Sequence, residues 1–178
     1  VYAKWAGLAN LGAKKFWLDG YWGVDPRVIA HEIGHNLGLL HAAGWDPASA
    51  SQADDPDGKH LEYGNMYDVM GGGAGTDRFT YPLNWTALSV HFKHLLGWMP
   101  EENIQIVTDT WSGRIYAADR SFLTNRKYGI RIEADRDLGG KGELDYWIEH
   151  RTRIPDNHYA KNGALIYLSD PEGTGVQD

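Results

Sequence analysis

An α+β fold follows from two stretches of chain with contrasting patterns. Residues 1–100 hold two helix-like segments set among long loops rich in Gly, Asp and Pro, whereas residues 101–178 hold five short strand-like runs, several alternating with period two. A chain of 178 residues can form one ordinary domain with a real core, or a compact core with a small appended sheet. We therefore divide it at residue 100, with a helix-bearing first part and a β-rich C-terminal unit.

Taken in order, KKFWLDGYW (14–22) reads as a short aromatic strand. Asp25 and Pro26 then cap and open a helix, because Asp accepts orphan N–H groups and Pro is pre-set for the first helical turn. Val28, Ile29, Ile33 and Leu37 recur at helical intervals and predict a buried apolar stripe, with Gly34 and Gly38 permitting close packing or a break. Residues 42–65 show no periodicity and predict a long loop, the kind of segment that often carries function. Residues 67–77 (YDVMGGGAGTD) must turn tightly. Asn84 to Leu96 reads as a second helix, stopped at Gly97 with Pro100 beyond. IQIVT (104–108), GRIYAA (113–118), YGIRIEA (128–134), LDYWIEHR (144–151) and ALIYL (164–168) predict an antiparallel β unit.

Composition removes several functional classes. The 17 basic and 24 acidic residues give a net charge of −7 with no Lys/Arg cluster, which argues against nucleic acid as a partner. No run approaches the ~20 apolar residues of a membrane span. The chain has no Cys, so thiolate ligands, disulfides and a cysteine nucleophile are excluded, and any metal must be held by His and carboxylates. Eight Trp and ten Tyr predict aromatic packing in core and strands, with an aromatic binding surface as the alternative.

The chemistry concentrates in HEIGHNLGLLH, residues 31–41. On a helix, His31 and His35 lie one turn apart on one face and can reach one metal ion. A third ligand requires the chain to leave the helix sharply, and Gly38 can adopt the left-handed turn that swings His41 back. Three imidazoles leave the fourth position of a zinc ion open for water, as in catalytic sites. Glu32, beside the first ligand, is placed to take a proton from that water as general base. The five fixed positions arise by chance roughly once in ten thousand such sequences, so ordinary helical histidines are a poor explanation.

His31, Glu32, His35, Gly38 and His41 resemble the extended zinc signature of the metzincin metallopeptidases. Met70 in YDVMGG resembles that clan's Met-turn, with Met66 the competing candidate. HNLGLLHA followed by YDVMG and a helix ending in LLGW looks most like the gametolysin-type peptidases over residues 5–99. The resemblance implies a catalytic core of zinc helix, Met-turn and second helix, secretion, and hydrolysis of a protein or peptide substrate. Met70 would form a hydrophobic floor beneath the metal, since a thioether suits a His-rich zinc site poorly as ligand. Several metzincin families place a Tyr two residues after that Met, where this chain has Gly72; Tyr63, Tyr67 and Tyr81 are the available substitutes. The resemblance also implies several strands and a helix before the zinc helix, forming an upper subdomain; only 30 residues precede His31, so most of it is expected to be missing and Val1 to be a proteolytic or truncation boundary.

Other residues have simpler readings. Asp54, Asp55 and Asp57 offer oxygen ligands for calcium but lack the EF-hand spacing, and a solvated turn is the favoured reading. His91 and His94 are read as packing or surface residues. Glu143, Asp145 and Glu149 are read as the exposed face of a strand. The β unit is expected to support the core; a binding module with Trp111 or Trp147 exposed is the alternative. For the whole chain, two other classes remain: a catalytically silent metal-binding or adhesion module, and a zinc hydrolase of non-peptide amides. No motif encodes an oligomeric state.

Overall fold

The computed structural model describes residues 5–20, 24–49, 55, 57–72, 87–121, 123–137, 143–153 and 161–169. The fold is mixed α+β. A hairpin of β1 (Gly7–Ala9) and β2 (Phe16–Leu18) leads into α1 (Pro26–Asn36). A second hairpin follows, with β3 (Gly44–Asp46) antiparallel to β4 (Lys59–Leu61). After the turns around residues 61–72 come α2 (Val90–Leu95), a 3-10 turn at Glu101–Asn103, and a four-stranded sheet. That sheet has the order β5 (Ile104–Val107), β6 (Gly129–Asp137), β7 (Glu143–Glu149), β8 (Leu165–Ser169).

α1 starts where the sequence places it. Asp25 accepts a hydrogen bond from Arg27 N at 2.8 Å and holds the Arg27 guanidinium at the same distance. Its end is equally local: Leu37 caps it, and Gly38 takes φ +97° while Leu39 N–H reaches back to Gly34 O. The expected apolar stripe is not the buried face, since Ile33 and Leu37 are exposed and Glu32 and Gly34 are buried. The cause is Gly34, where a Cβ would collide with the Met70 thioether. Close packing on that side turns the face with Glu32 and Gly34 inward and leaves Ile33 and Leu37 outward.

Further expectations are corrected. Residues 42–65 are not a structureless loop, because Gly44↔Leu61, Trp45↔His60 and Asp46↔Lys59 pair as strands. The 113–118 run forms no strand; Tyr116 N–H bonds Lys127 O while Ala118 N–H bonds His150 O, so its donors go to two different segments instead of one ladder. The sheet is not purely antiparallel, since β5 and β6 pair in parallel, Ile104↔Gly129 to Val107↔Ile132. Parallel neighbours need a crossover of about a dozen residues or more, and residues 108–128 supply it. The second helix is also shorter than expected, beginning at Val90 behind a Ser89 cap, and Gly97 ends it at φ +69°. Residues 84–86 of its expected span lie outside the described residues.

α2 lies between two apolar clusters. Val90 packs with Met99, Ile104, Ala118, Tyr128, Trp147 and Tyr167 on the sheet side, and Phe92 packs with Leu39, Ala42 and Met70 on the other. Trp147 is thus a core residue and not an exposed ligand platform. The carboxylates of β7 also correct the exposed-face reading: Asp145 and Glu149 are buried, paired with Arg131 at 2.6 Å and with Arg151. Arg151, 3% exposed, donates in addition to the carbonyls of Tyr67 and Ala87. Asp68, fully buried two residues before Met70, accepts from Met70 N at 2.8 Å and Ser89 N at 2.6 Å.

This arrangement makes Arg151 costly to remove. Arg151→Met should leave Glu149 as an uncompensated buried charge and destabilise the protein by about 3–5 kcal/mol. Urea denaturation midpoints of the two proteins test this, and a loss below about 1 kcal/mol would show that the pair is not holding the fold.

Candidate metal centre

His31 and His35 project from the inward face of α1, and His41 returns to them after the left-handed turn at Gly38. One ring nitrogen from each lies within 4.8 Å of the others, and the Nε2 atoms of His31 and His35 are 3.0 Å apart. The ring centroids of His41 stand 5.3 Å from His31 and 4.8 Å from His35. Among the described residues this is the group of ligand-type side chains that the fold brings together.

The opposite ring nitrogens explain why these three atoms are available. His31 Nδ1 lies 2.9 Å from Val69 O, His35 Nδ1 lies 2.7 Å from Leu39 O, and His41 Nδ1 lies 2.8 Å from Glu62 Oε1. A carbonyl or ionised carboxylate can only accept, so each Nδ1 carries the proton and donates it. A neutral imidazole then has a bare Nε2, the tautomer that binds a metal ion. Burial lowers the His31 pKa to about 4, against the raising effect of its Val69 bond, and the other two imidazoles lower it further. Burial also lowers the His41 value, opposed by the hydrogen bond to Glu62. Both groups are held in the neutral form a metal requires.

Glu32 lies on the same helix, buried beneath β1. A Cβ at Gly7 would collide with its carboxyl group, so a glycine at that strand position makes room for it. Burial raises its pKa, and its Oε2 is buried with no hydrogen-bond partner. A buried carboxylate oxygen without a donor is costly unless a proton, water or ligand comes to it.

Met70 is fully buried against Gly34, with its carbonyl accepting from Ala42 N at 3.0 Å, while Met66 is 57% exposed. Of the three tyrosines, Tyr63 is at the site: its ring centroid is 3.9 Å from that of His41 and 5.8 Å from that of His31. Tyr67 directs its carbonyl to Arg151 instead, and Tyr81 lies outside the described residues, as does segment 73–82. Gly72 N–H donates to Tyr63 O at 2.7 Å, and Tyr63 has φ +63°, a left-handed conformation uncommon for an aromatic residue. Burial raises its phenol pKa, reinforced by Glu62 and Glu32.

Other sequence candidates fall elsewhere. His91 is buried and pairs with Ser169 Oγ at 2.6 Å, and His94 Nδ1 bonds Met99 O at 3.1 Å, so both serve packing. Asp55 accepts from Asp57 N at 3.1 Å within a turn, while Asp54 lies outside the described residues. Glu62 and Gly7 are the site residues that sequence reasoning missed. Neither lies at a motif spacing, and only strand pairing brings them in. No family model matches the chain, and no curated protein or solved structure matches it.

A pH dependence follows from His31. Its folded value is depressed, so as pH falls below the ordinary ~6.5 the unfolded chain takes the proton first and the folded state loses its advantage. The metal-free protein should therefore lose stability from about pH 6.5 down to about pH 4, and His31→Gln should flatten that loss. Denaturation midpoints at both ends of this window check it, and an equal decline in the two proteins would assign the effect to other groups.

Proposed function

We propose that this chain is a zinc-dependent endopeptidase with a metzincin-type catalytic core. The observation that carries the reading is the convergence of three imidazoles, each with its Nδ1 against an oxygen acceptor, beside a buried carboxylate whose Oε2 has no partner. The donor set fits zinc, which accepts three neutral imidazoles and leaves a position open. His31, His35 and His41 would hold the ion, and when bound it supplies Lewis acidity toward a carbonyl oxygen and acidifies a coordinated water.

The chain's own groups account for the proton movements. Glu32 accepts a proton at its free oxygen from the water that attacks the peptide carbonyl, and its raised pKa lets it hold that proton until the amine departs. The C–N bond then breaks as Glu32 returns the proton to nitrogen. Met70 and Gly34 close the floor under the ligands and exclude water there. Tyr63, whose ring lies against His41, is the phenol nearest the ligands among the described residues and takes the transition-state-stabilising part that the resemblance gives to a Tyr at the position of Gly72.

Digestion of a peptide library, with and without a zinc chelator, tests the reading. Chelator-sensitive cleavage is expected, and absence of cleavage by a zinc-loaded protein would overturn it.

The roles of ligand and base separate under mutation. Each His→Ala change should cut zinc content and activity together. Glu32→Gln should keep zinc near one per chain while slowing hydrolysis by at least ~10²- to 10⁴-fold. Full zinc with near-normal turnover in Glu32→Gln would remove Glu32 from the role of base.

A further inference from the structure

Resting on that zinc reading, we propose that Glu62 is a positioning residue that sets the strength of the metal site through the third ligand. The three ligands are held in different ways. His31 and His35 belong to α1 and are fixed by backbone carbonyls, those of Val69 and Leu39. His41 follows the end of the helix, belongs to no regular element, and its Nδ1 is held by a side-chain carboxylate.

That carboxylate arrives by way of the β3–β4 hairpin. Strand β3 begins three residues after His41, and its pairing with β4 (Gly44↔Leu61) ends one residue before Glu62, so the returning strand delivers Glu62 beside the ligand. The base of the hairpin is pinned by Gly44 and Gly64, whose backbones approach so closely that a Cβ on either would collide with the other. Tyr63 completes the attachment: its left-handed backbone, its carbonyl bond to Gly72 N–H at 2.7 Å and its ring against His41 fix the direction in which Glu62 leaves the chain. Hairpin and carboxylate form a clamp on His41.

A carboxylate on Nδ1 does two things for a metal-binding imidazole. It orients the ring, and it makes the opposite nitrogen a stronger donor, so loss of such a partner typically costs about 10–100-fold in metal affinity. The Glu62 side chain is itself 63% exposed, and a hydrogen bond that water can replace contributes little to folding. Its removal should therefore weaken the metal site without weakening the fold, a combination that a scaffold residue would not give.

The test is a zinc competition titration against a chromophoric chelator, using the whole chain as wild type, Glu62→Gln, Glu62→Ala and Asp46→Asn, with melting of each metal-free protein alongside. Asp46 is an exposed carboxylate on the same hairpin and controls for general negative charge. Both Glu62 variants should bind zinc about 10–100-fold more weakly than wild type, with metal-free melting temperatures unchanged and Asp46→Asn at wild-type affinity. Wild-type affinity in the Glu62 variants would overturn the proposal, as would an equal loss in Asp46→Asn or a matching drop in metal-free melting temperature. A wild-type chain that takes up no zinc would instead overturn the zinc reading itself, which separates the two failures.

Discussion

The Arg151 guanidinium, almost wholly withdrawn from water, joins pieces of chain that are far apart in sequence. It neutralises Glu149 on β7, and it donates to the carbonyl of Tyr67, before Met70, and to that of Ala87, before α2. Burying a charge in this way is tolerable only when partners surround it, and every partner is thereby fixed. Asp68 adds a second tie from the same turn, bonding Ser89 N at the start of α2. The turn carrying Met70 is thus anchored to both the helix and the sheet, and Met70 sets how closely α1 can approach through Gly34. The spacing of the histidines above that floor therefore rests on a buried charge pair that adjoins the same turn.

The local parts of the site were legible in the sequence because they depend on single-helix geometry. Four residues separate two ligands by one helical turn, Asp25-Pro26 opens a helix, and Gly38 is the residue type for the left-handed exit that it takes at φ +97°. Four of the five strand-like runs contain strands for the same local reason. What depends on partners was not legible. Alternation does not say which direction the neighbouring strand runs, so the parallel β5–β6 pair was missed. Nor does it say which face is covered, so Asp145 and Glu149 were placed on the surface although Arg131 and Arg151 bury them as pairs. Ile33 and Leu37 were placed inside because an aliphatic stripe usually is, but Gly34 offered a closer approach on the other side.

Glu62 lies at the limit of what pattern can reveal. It is 21 residues from His41, a separation with no meaning until the register Gly44↔Leu61 folds the intervening chain back on itself. Aspartate, glycine and proline in residues 42–65 signalled turns, and the short strands between them carry too little alternation to be recognised alone. The consequence is that the three candidate ligands are unevenly held. Two imidazoles have neutral partners within or near the helix, and the third has an ionised partner carried by a separate hairpin.

The span of the Arg151 contacts also bears on the order in which the site is assembled. His31, His35 and His41 are close in sequence and can gather as soon as α1 forms. The Arg151 bonds to Tyr67 and Ala87, in contrast, close loops of 84 and 64 residues. Loops of that size are entropically slow to close and are made late, after local structure. On a growing chain, the first two ligands emerge long before the residue that steadies the floor beneath them. A nascent polypeptide ending short of β7 would therefore display the three histidines before the turn beneath them is tied to the sheet.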